Sequence, residues 1–447
     1  MSEQTQRALQ LEAILAETAR RVKQLWSYAD AHGTATLADL ERQAEQMSRG
    51  LLAQAVESIV TEKSISFCED LCPQCGARTH YKGRQERRLK TLAGVVRWER
   101  GYYYCRHCQW GHYPLDEQLQ IPAGQFAPGV QEEVSRLAAE MPFERAAETF
   151  TALKGVSISA REVGRIAEAR GAALGRQRSL QDELLLKGAQ KPQVEESPGE
   201  GARGVALDAA MAHFRDGWHE VKVGVAFRAH PEAEDQETHV RAAEQHYLTH
   251  IGKMEELGNK LYAEAVRQGY HAERETMVCL GDGAVTNWEQ FAEHFDPRVE
   301  VLDWYHATEH LWAAGNGLYG EKSAEAKSWV EAREAELWSG NVAAVLRNLQ
   351  AAANGTRGEA AQAEIHYFSC NQERMRYDQY RAQEYPVGSG VVESACKQLV
   401  TSRLCGAGMW WSQPGAQAIL NLRAALLSHD WQEAWALTQS PPNSPKS

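Results

Sequence analysis

Alternating apolar and polar positions predict several β-strands in the second half of the chain. Residues 202–214 form a strand pattern in which Val205 and Leu207 face one way and Asp208 faces the other. Residues 218–227 alternate valines with polar or small residues, which is typical of a half-buried antiparallel strand. Further segments are predicted as strands at 244–248, 277–280 and 299–302, and as a helix at about 251–268.

Acidic residues stand at the ends of these strands and at the start of a late helix. Asp208 lies in the first strand, and Asp282 follows the strand at 277–280 between two glycines. Glu393 falls in the first turn of a helix capped by Ser389 or Gly390, at the rim of that helix's apolar stripe. The stripe consists of Val392, Ala395, Cys396 and Leu399.

A strand hairpin, a helix, strands that end in acids and a glutamate on a late helix follow the order of an RNase H-like fold. In that fold three carboxylates hold two magnesium ions about 3.5–4 Å apart, which activate the attacking oxygen and stabilise the leaving oxygen. Taken singly, Asp208 and Asp282 are also typical of strand-end turns, and Glu393 of a helix start. Taken together, the three acids predict a two-metal site.

Several longer motifs in one order give the chain a family resemblance. They are GWHEVKVG at 217–224, LGDGA at 280–284, VLDWYHATEHLW at 301–312 and the segment 386–412. On these motifs the chain resembles, over roughly residues 65–435, a DDE transposase of the bacterial Kra-type insertion-sequence family, distantly related to Mutator-like elements. Ala209 stands where we expect glycine in relatives.

The resemblance implies roles for individual residues. It makes Asp208, Asp282 and Glu393 the catalytic triad, with magnesium or manganese as the metal. Asp303 and His306 would form the family's accessory Asp-x-x-His motif. His306 could orient an attacking water or contact the scissile phosphate, or it could simply pack or cap the helix start in which it lies.

Other residues near these motifs are candidates for DNA contact. Trp288, Trp410 and Trp411 could stack on unpaired bases at a transposon end, although such residues are more often part of a core. Arg403, within the last motif, is also assigned to DNA. Residues 307–381 have helical periodicity and form either an independent helical domain or, as the resemblance supports, an all-helical insertion into the catalytic fold.

Two C-x-x-C pairs predict a zinc site. Cys72 with Cys75 and Cys105 with Cys108 supply four thiolates, with strand-like pieces between them that suit a zinc ribbon. A redox dithiol is the alternative, but such motifs occur singly at a helix start. Cys68 and His107 are close enough in sequence to act as substitute ligands.

The stretch between the cysteine pairs is basic and rich in aromatic residues. Such a stretch is typical of a DNA-binding surface, although it also fits a solvated charged face. The arginines and lysine assigned to DNA here are Arg84, Arg87, Arg88, Lys90, Arg97 and Arg100.

Residues 142–171 predict two helices joined by a turn at Gly155. Ser159 and Glu162 form a capping box at the start of the second helix. The basic residues expected to project from that helix are Arg161, Arg165 and Arg170. A DNA-binding helix-turn-helix and an ordinary helical hairpin both fit.

The chain is therefore predicted to be a multidomain α+β protein. Residues 1–62 form a helical region, which either packs on the core or self-associates, and residues 63–118 form the zinc ribbon. The remaining predicted parts are helices at 119–186, a linker at 187–203, the RNase H-like domain with its insertion at 204–437 and a disordered tail at 438–447.

The amino-acid composition bears on where the protein works in the cell. The formal net charge is −12, which weighs against a simple histone-like binder but not against a protein with a local basic surface. No signal peptide or membrane-spanning run is expected, and the nine cysteines fit zinc plus reduced thiols. A cytoplasmic, nucleoid-associated bacterial protein is predicted.

The predicted function is a DNA transposase that binds terminal inverted repeats and target DNA, and cuts and joins DNA strands at a two-metal site. Handling two DNA ends implies a homodimer or a higher oligomer. The alternatives are an RNase H-like nuclease that does not join strands and a zinc-dependent DNA-binding regulator without catalysis.

Overall fold

The computed structural model describes residues 3–66, 71–188, 201–234, 237–270, 275–355, 357–388 and 390–439. Within these ranges the chain is a mixed α+β protein. It divides into two compact units: residues 1–138 with 142–166, and residues 139–141 with 167–447.

The first unit combines long helices with a small antiparallel sheet in the order β1-β2-β3. Its helices are α1 (Glu3–Ala31), α2 (Leu37–Ser66), α3 (Pro114–Gln118), α4 (Pro128–Glu140), α5 (Phe143–Lys154) and the start of α6 (Ala160–Leu186). Its strands are β1 (His80–Thr91), β2 (Gly94–Cys105) and β3 (Trp110–His112).

The core of the first unit forms where α2 packs on the β1–β2 hairpin. Leu89, Val96 and Trp98 are buried there together with Leu115, and Ala53 of α2 packs against them. α2 begins directly after Thr36. Asp39 donates its backbone N–H to Oγ1 of Thr36 and accepts the Thr36 backbone N–H through its carboxylate, as in a capping box.

The second unit is built on a five-stranded sheet in the order β6-β5-β4-β7-β8. The strands are β4 (Ala202–Phe214), β5 (Gly217–Glu234), β6 (Glu237–His250), β7 (Met277–Gly281) and β8 (Arg298–Leu302). Helices α7 (Met254–Arg267) and α8 (Val285–His294) follow β6 and β7. The strands and the helix predicted from alternation are confirmed, with longer bounds for β5 and β6.

Strand direction changes at β4. β4, β5 and β6 form an antiparallel meander, whereas β7 pairs parallel to β4 and β8 pairs parallel to β7. The last β4–β7 pair joins Ala206 to Leu280. Asp208 and Asp282 each lie two residues beyond that pair. They are therefore at the same level along the two neighbouring strands.

Helices occupy most of the described part of residues 307–381, as predicted. The helices are α9 (Trp304–Tyr319), α10 (Ala324–Trp338), α11 (Val342–Ala353), α12 (Glu359–Asn371) and α13 (Tyr377–Ala382). Tyr377 donates its hydroxyl to the carbonyl of Leu302 at 2.9 Å, and Nε of Arg374 donates to Oε2 of Glu300 at 2.6 Å. The helical segment is thus attached to β8, the strand that leads to Asp303.

The chain closes the second unit with α14 (Gly390–Ala395), a π-helical turn (Cys396–Thr401), α15 (Ser402–Leu404), α16 (Gln413–Leu427) and α17 (Trp431–Gln439). The predicted apolar stripe is confirmed, because Val392, Ala395, Cys396 and Leu399 are all buried. Ser389, one of the two predicted caps, lies outside the described residues.

Three boundaries differ from expectation. The predicted linker extends to residue 203, but Ala202 and Arg203 already pair with β5. The predicted tail starts at residue 438, but α17 continues to Gln439, and residues 440–447 lie outside the described residues. α2 runs to Ser66, past the boundary expected after residue 62.

The predicted helix–turn–helix elements are present as α5 and α6, and Gly155 between them has a φ of +65°. Arg170 does not project from α6 as predicted. It donates to the carbonyl of Thr438 and lies over the ring of Trp435, because α17 covers that part of the helix. Within the described ranges no helix combines the length and apolar character that a bilayer crossing requires.

Candidate active site and metal centre

Asp208 is the acid nearest the middle of the sheet. Its Oδ1 accepts the backbone N–H of Ala209 at 2.7 Å, and the thiol of Cys396 lies 3.4 Å from its Oδ2. Burial raises the pKa of Asp208, and the negative charge of Asp282 raises it further. A carboxylate whose negative charge is poorly compensated is suited to bind a cation.

Asp282 is fixed by two donors on one oxygen. Its Oδ1 accepts the backbone N–H of Ala284 at 2.9 Å and Nδ2 of Asn287 at 3.0 Å. Asn287 is buried, and the same amide nitrogen lies 3.4 Å from the carbonyl oxygen of Leu207, the neighbour of Asp208. The asparagine thereby joins β4, which carries Asp208, to the loop that carries Asp282.

Gly283 allows another contact to this loop. Its φ is +103°, and a Cβ there would lie 2.8 Å from the ring of Tyr367. Tyr367 donates its hydroxyl to the carbonyl of Asp282 at 3.0 Å and stacks on His310, with ring centroids 3.6 Å apart. The helical segment therefore contacts the backbone of Asp282 directly.

Glu393 is exposed in the first turn of α14, which packs against β4. The next turn, from Cys396, is π-helical. Burial raises the pKa of the Cys396 thiol, and the charges of Asp208, Glu393 and Asp282 all raise it further. The negative charges of all three predicted triad acids thus act on this one thiol.

Asp303 and His306 form a close pair at the start of α9. The buried Asp303 carboxylate accepts the backbone N–H of His306 at 3.0 Å and lies 2.6 Å from its Nδ1. Hydrogen bonding to Asp303 raises the pKa of His306 to about 9, with smaller contributions from Asp208 and Asp282. His306 is both the helix-start residue and part of this acidic cluster.

The three triad carboxylates do not converge on one point. Among the described residues, the groups of three or more ligand-type side chains within 4.8 Å are the four cysteines and a set of His246, Glu264 and Asp430. Two metal ions several ångströms apart do not require that all their ligands meet at one point.

The four predicted cysteines lie together and could hold a zinc ion. Sγ of Cys72 is 3.5 Å from that of Cys108, and Sγ of Cys75 is 3.6 Å from that of Cys105. Thiolates about 2.3 Å from a tetrahedral zinc are about 3.8 Å apart, so the group needs little adjustment. Backbone N–H groups of Cys108 and His107 lower the pKa of Cys105 to about 6.

Two further residues, His107 and Cys68, are predicted as substitute zinc ligands. The His107 side chain is exposed and is not part of the cluster. Cys68 lies outside the described residues.

A family model matches residues 31–435, most of the chain. The chain belongs to the uncharacterised protein family UPF0236. A search of curated proteins finds no match. Membership is compatible with the transposase resemblance and by itself assigns no activity.

The residues assigned to DNA in this UPF0236 chain fall into two groups. Exposed ones are Arg84, Arg88, Arg97, Arg161 and Arg165, of which Arg165 pairs with Glu162. Others are engaged with the protein: Arg87 donates to the carbonyl of Pro122, Lys90 to that of Ser157, and the buried Arg100 pairs with Asp116.

Arg403 and two of the tryptophans are not available to DNA at the surface. Arg403 is 1% exposed, with its guanidinium over the ring of Trp411. Trp411 and Trp288 are also buried, whereas Trp410 is 65% exposed. The core interpretation therefore fits Trp288 and Trp411, and Arg403 is left out of the proposed DNA surface.

Asn287, Tyr367 and the role of Cys396 were not predicted from the sequence. Cys396 was expected only in the apolar stripe, and its thiol also faces Asp208. Asn287 lies five residues after Asp282, on the first turn of α8, and this spacing was the one available signal. Tyr367 lies far along the chain, and no local pattern marks it.

Proposed function

We propose that this protein is a DNA transposase with an RNase H-like catalytic domain, in which Asp208, Asp282 and Glu393 form the active site. The observation that carries the proposal is the placement of these acids. Two lie at equivalent positions past the last β4–β7 pair, and the third lies on the helix that packs against β4. The antiparallel meander extended by two parallel strands supports the RNase H-like assignment.

The chemistry follows from this arrangement. Oxygen ligands suit magnesium or manganese, and among the described residues Oδ2 of Asp282 accepts no hydrogen bond and is free to bind an ion. When bound, the ions would activate the attacking oxygen and stabilise charge on the leaving oxygen. Asp208, Asp282 and Glu393 would hold them.

The reaction has two steps. Water attacks a phosphodiester at the element end and releases a 3′ hydroxyl. That hydroxyl then attacks a target phosphodiester, forming a new bond and displacing a target 3′ oxygen. His306, protonated at neutral pH because of Asp303, would donate a hydrogen bond to the scissile phosphate rather than act as a base.

The first unit would bind the terminal inverted repeats. Arg88 and Arg97 lie directly opposite each other on β1 and β2, both exposed. Like charges at opposed positions destabilise a strand pair, and a bound phosphate would offset that repulsion. The zinc ion would fix the turns at the end of this hairpin.

Self-association would bring two DNA ends together. On α1 an exposed apolar stripe consists of Leu11, Leu15, Val22 and Trp26. At 100° per residue these four side chains fall within an arc of about 60°, which is the narrow apolar stripe of a helix that packs against another helix. We place the dimer contact on this stripe. The protein would work on chromosomal DNA in the cytoplasm.

The experiment is a strand cleavage and joining assay on a labelled DNA end from the flanking terminal repeat, with magnesium or with EDTA. Joined products that require magnesium support a transposase. Cleavage without joining would indicate a nuclease instead. Binding without chemistry, in magnesium and in manganese, would indicate a regulator and would contradict the proposal.

A further inference from the structure

A third group of ligand-type side chains lies in the second unit, apart from the acids and cysteines above. His246 of β6, Glu264 of α7 and Asp430, just before α17, offer ligand atoms that all lie within 4.8 Å of one another. We propose that these three side chains bind a divalent transition-metal ion. This site does not depend on the proposed strand-transfer chemistry.

The distances between the ligand atoms are close to those found around a bound metal ion. Nδ1 of His246 lies 3.1 Å from Oδ2 of Asp430 and 3.8 Å from Oε1 of Glu264. Ligand atoms about 2.1 Å from a shared ion, at right or tetrahedral angles, are roughly 3.0–3.4 Å apart. The two distances to the imidazole thus need a shift of a few tenths of an ångström to suit one ion, and the two carboxylate oxygens lie within 4.8 Å of each other.

Neighbouring side chains already fix Glu264 in place. Arg267 donates to Oε2 of Glu264 at 2.7 Å and to Asp182 at 2.6 Å, while Gln268 donates to Oε1 of Glu264 at 2.8 Å. Hydrogen bonds of this kind from outside the ligand set orient the carboxylates of metal sites. Oε1 keeps a second lone pair with which to bind an ion.

Two of the three ligands reach a small cavity. Glu264 and Asp430 line a space of about 80 Å³ together with Tyr247, Ser428 and the cations Arg178, Lys260 and Arg267. That space accepts the waters that complete a coordination shell with three protein ligands. One imidazole nitrogen and two carboxylate oxygens form a mixed donor set that suits zinc or manganese.

Such an ion would join three elements that are distant in sequence. The ligands come from β6, α7 and the residue that precedes α17, so a bound ion ties the last helix to the sheet. Substituting His246 or Asp430, whose side chains are partly exposed, tests whether an ion is bound. Neither substitution removes a member of the buried Glu264–Arg267 pair.

The test compares the zinc content of the full-length chain with that of His246→Ala and Asp430→Asn after equilibration with zinc. Each variant should hold one zinc ion fewer per chain than wild type. His213→Ala, a half-buried histidine elsewhere in the same unit, is the matched control and should hold as much as wild type. Zinc at the cysteines or the acidic site is common to all four proteins and cancels.

A second readout is thermal unfolding with added zinc. The unfolding midpoint of wild type and His213→Ala should rise more than that of the two ligand variants, because an ion that binds only the folded state stabilises it. Equal zinc content in wild type and both ligand variants, all folded by circular dichroism, would overturn the proposal. Asp430→Asn keeps the side-chain volume and so separates loss of a ligand from misfolding.

Discussion

Nδ2 of Asn287 donates a hydrogen bond to Oδ1 of Asp282 at 3.0 Å and lies 3.4 Å from the carbonyl of Leu207. One buried amide thus joins the loop of the second aspartate to the strand of the first. Oδ1 of Asp282 is occupied by this bond and by the backbone N–H of Ala284, while Oδ2 accepts no hydrogen bond from the described part of the chain. The asparagine sets the orientation of this carboxylate.

Asn287→Ala should therefore raise the magnesium concentration needed for half-maximal DNA cleavage. Loss of a partner that orients a ligand typically costs 10–100-fold in metal affinity or activity. The measurement is a magnesium titration of cleavage, with DNA binding checked in parallel. Asn348→Ala, which removes an amide bonded to Glu336 on the helical segment, is the control. An unchanged magnesium requirement in folded Asn287→Ala would contradict the positioning role.

The Asp303–His306 pair predicts a pH dependence. His306 has a pKa of about 9 in the folded protein against an ordinary value of 6.5. Because the folded value is the higher one, the stabilisation is fully present below about pH 6.5 and is lost as the pH rises through 9. It should amount to about 1–3 kcal/mol.

The check is a comparison of unfolding free energies of wild type and His306→Gln across pH 6–9.5, together with the NMR titration of the imidazole. The stability difference should shrink towards alkaline pH, and Asp303→Asn should lower the pKa of His306. An imidazole that titrates near its ordinary value in the folded wild type would refute the coupling.

The cysteine group predicts one zinc ion that stabilises the first unit. Cys75→Ser should lose this ion and lower the unfolding midpoint, because binding energy at a structural zinc site is also folding energy. Cys370→Ser removes an exposed thiol outside the group and should leave both quantities unchanged. Zinc content by mass spectrometry and thermal unfolding check the prediction, which fails if the two variants behave alike.

The opposed arginines of the hairpin predict a change in salt dependence. Arg88→Ala with Arg97→Ala should weaken DNA binding for all sequences. The slope of log K against log salt should become shallower by about 0.9 for each phosphate that the variant no longer neutralises. Arg42→Ala, an exposed arginine of α2, is the control. The measurement is the DNA affinity of wild type and variant from low to moderate salt. An unaltered slope would show that the hairpin is not part of the DNA-binding surface.

Sequence patterns predicted the sheet well for a physical reason. Strand alternation is local, so β4, β7 and β8 could be placed from their own residues, and strand ends then gave Asp208 and Asp282. The four cysteines were equally accessible because the spacing of each C-x-x-C pair reflects the geometry of a tight turn.

Contacts between distant segments could not be predicted in this way. Arg403 carries a charge that suggested DNA, but its burial depends on how the loop at Trp411 folds over it. Arg170 follows the helical spacing of Arg161 and Arg165 and is nevertheless covered by Trp435. In each case an aromatic ring outside the cation's own helix decides whether the cation faces solvent.

The central claim is that the Glu393 carboxylate completes a DNA strand-transfer site. The most direct test compares wild type, Glu393→Gln and Glu359→Gln, another glutamate in the first turn of a helix, for cleavage and joining of the labelled terminal end with magnesium. Glu393→Gln should bind the DNA normally and form no joined product, while Glu359→Gln should match wild type. Joined product formed equally well by Glu393→Gln would contradict the account.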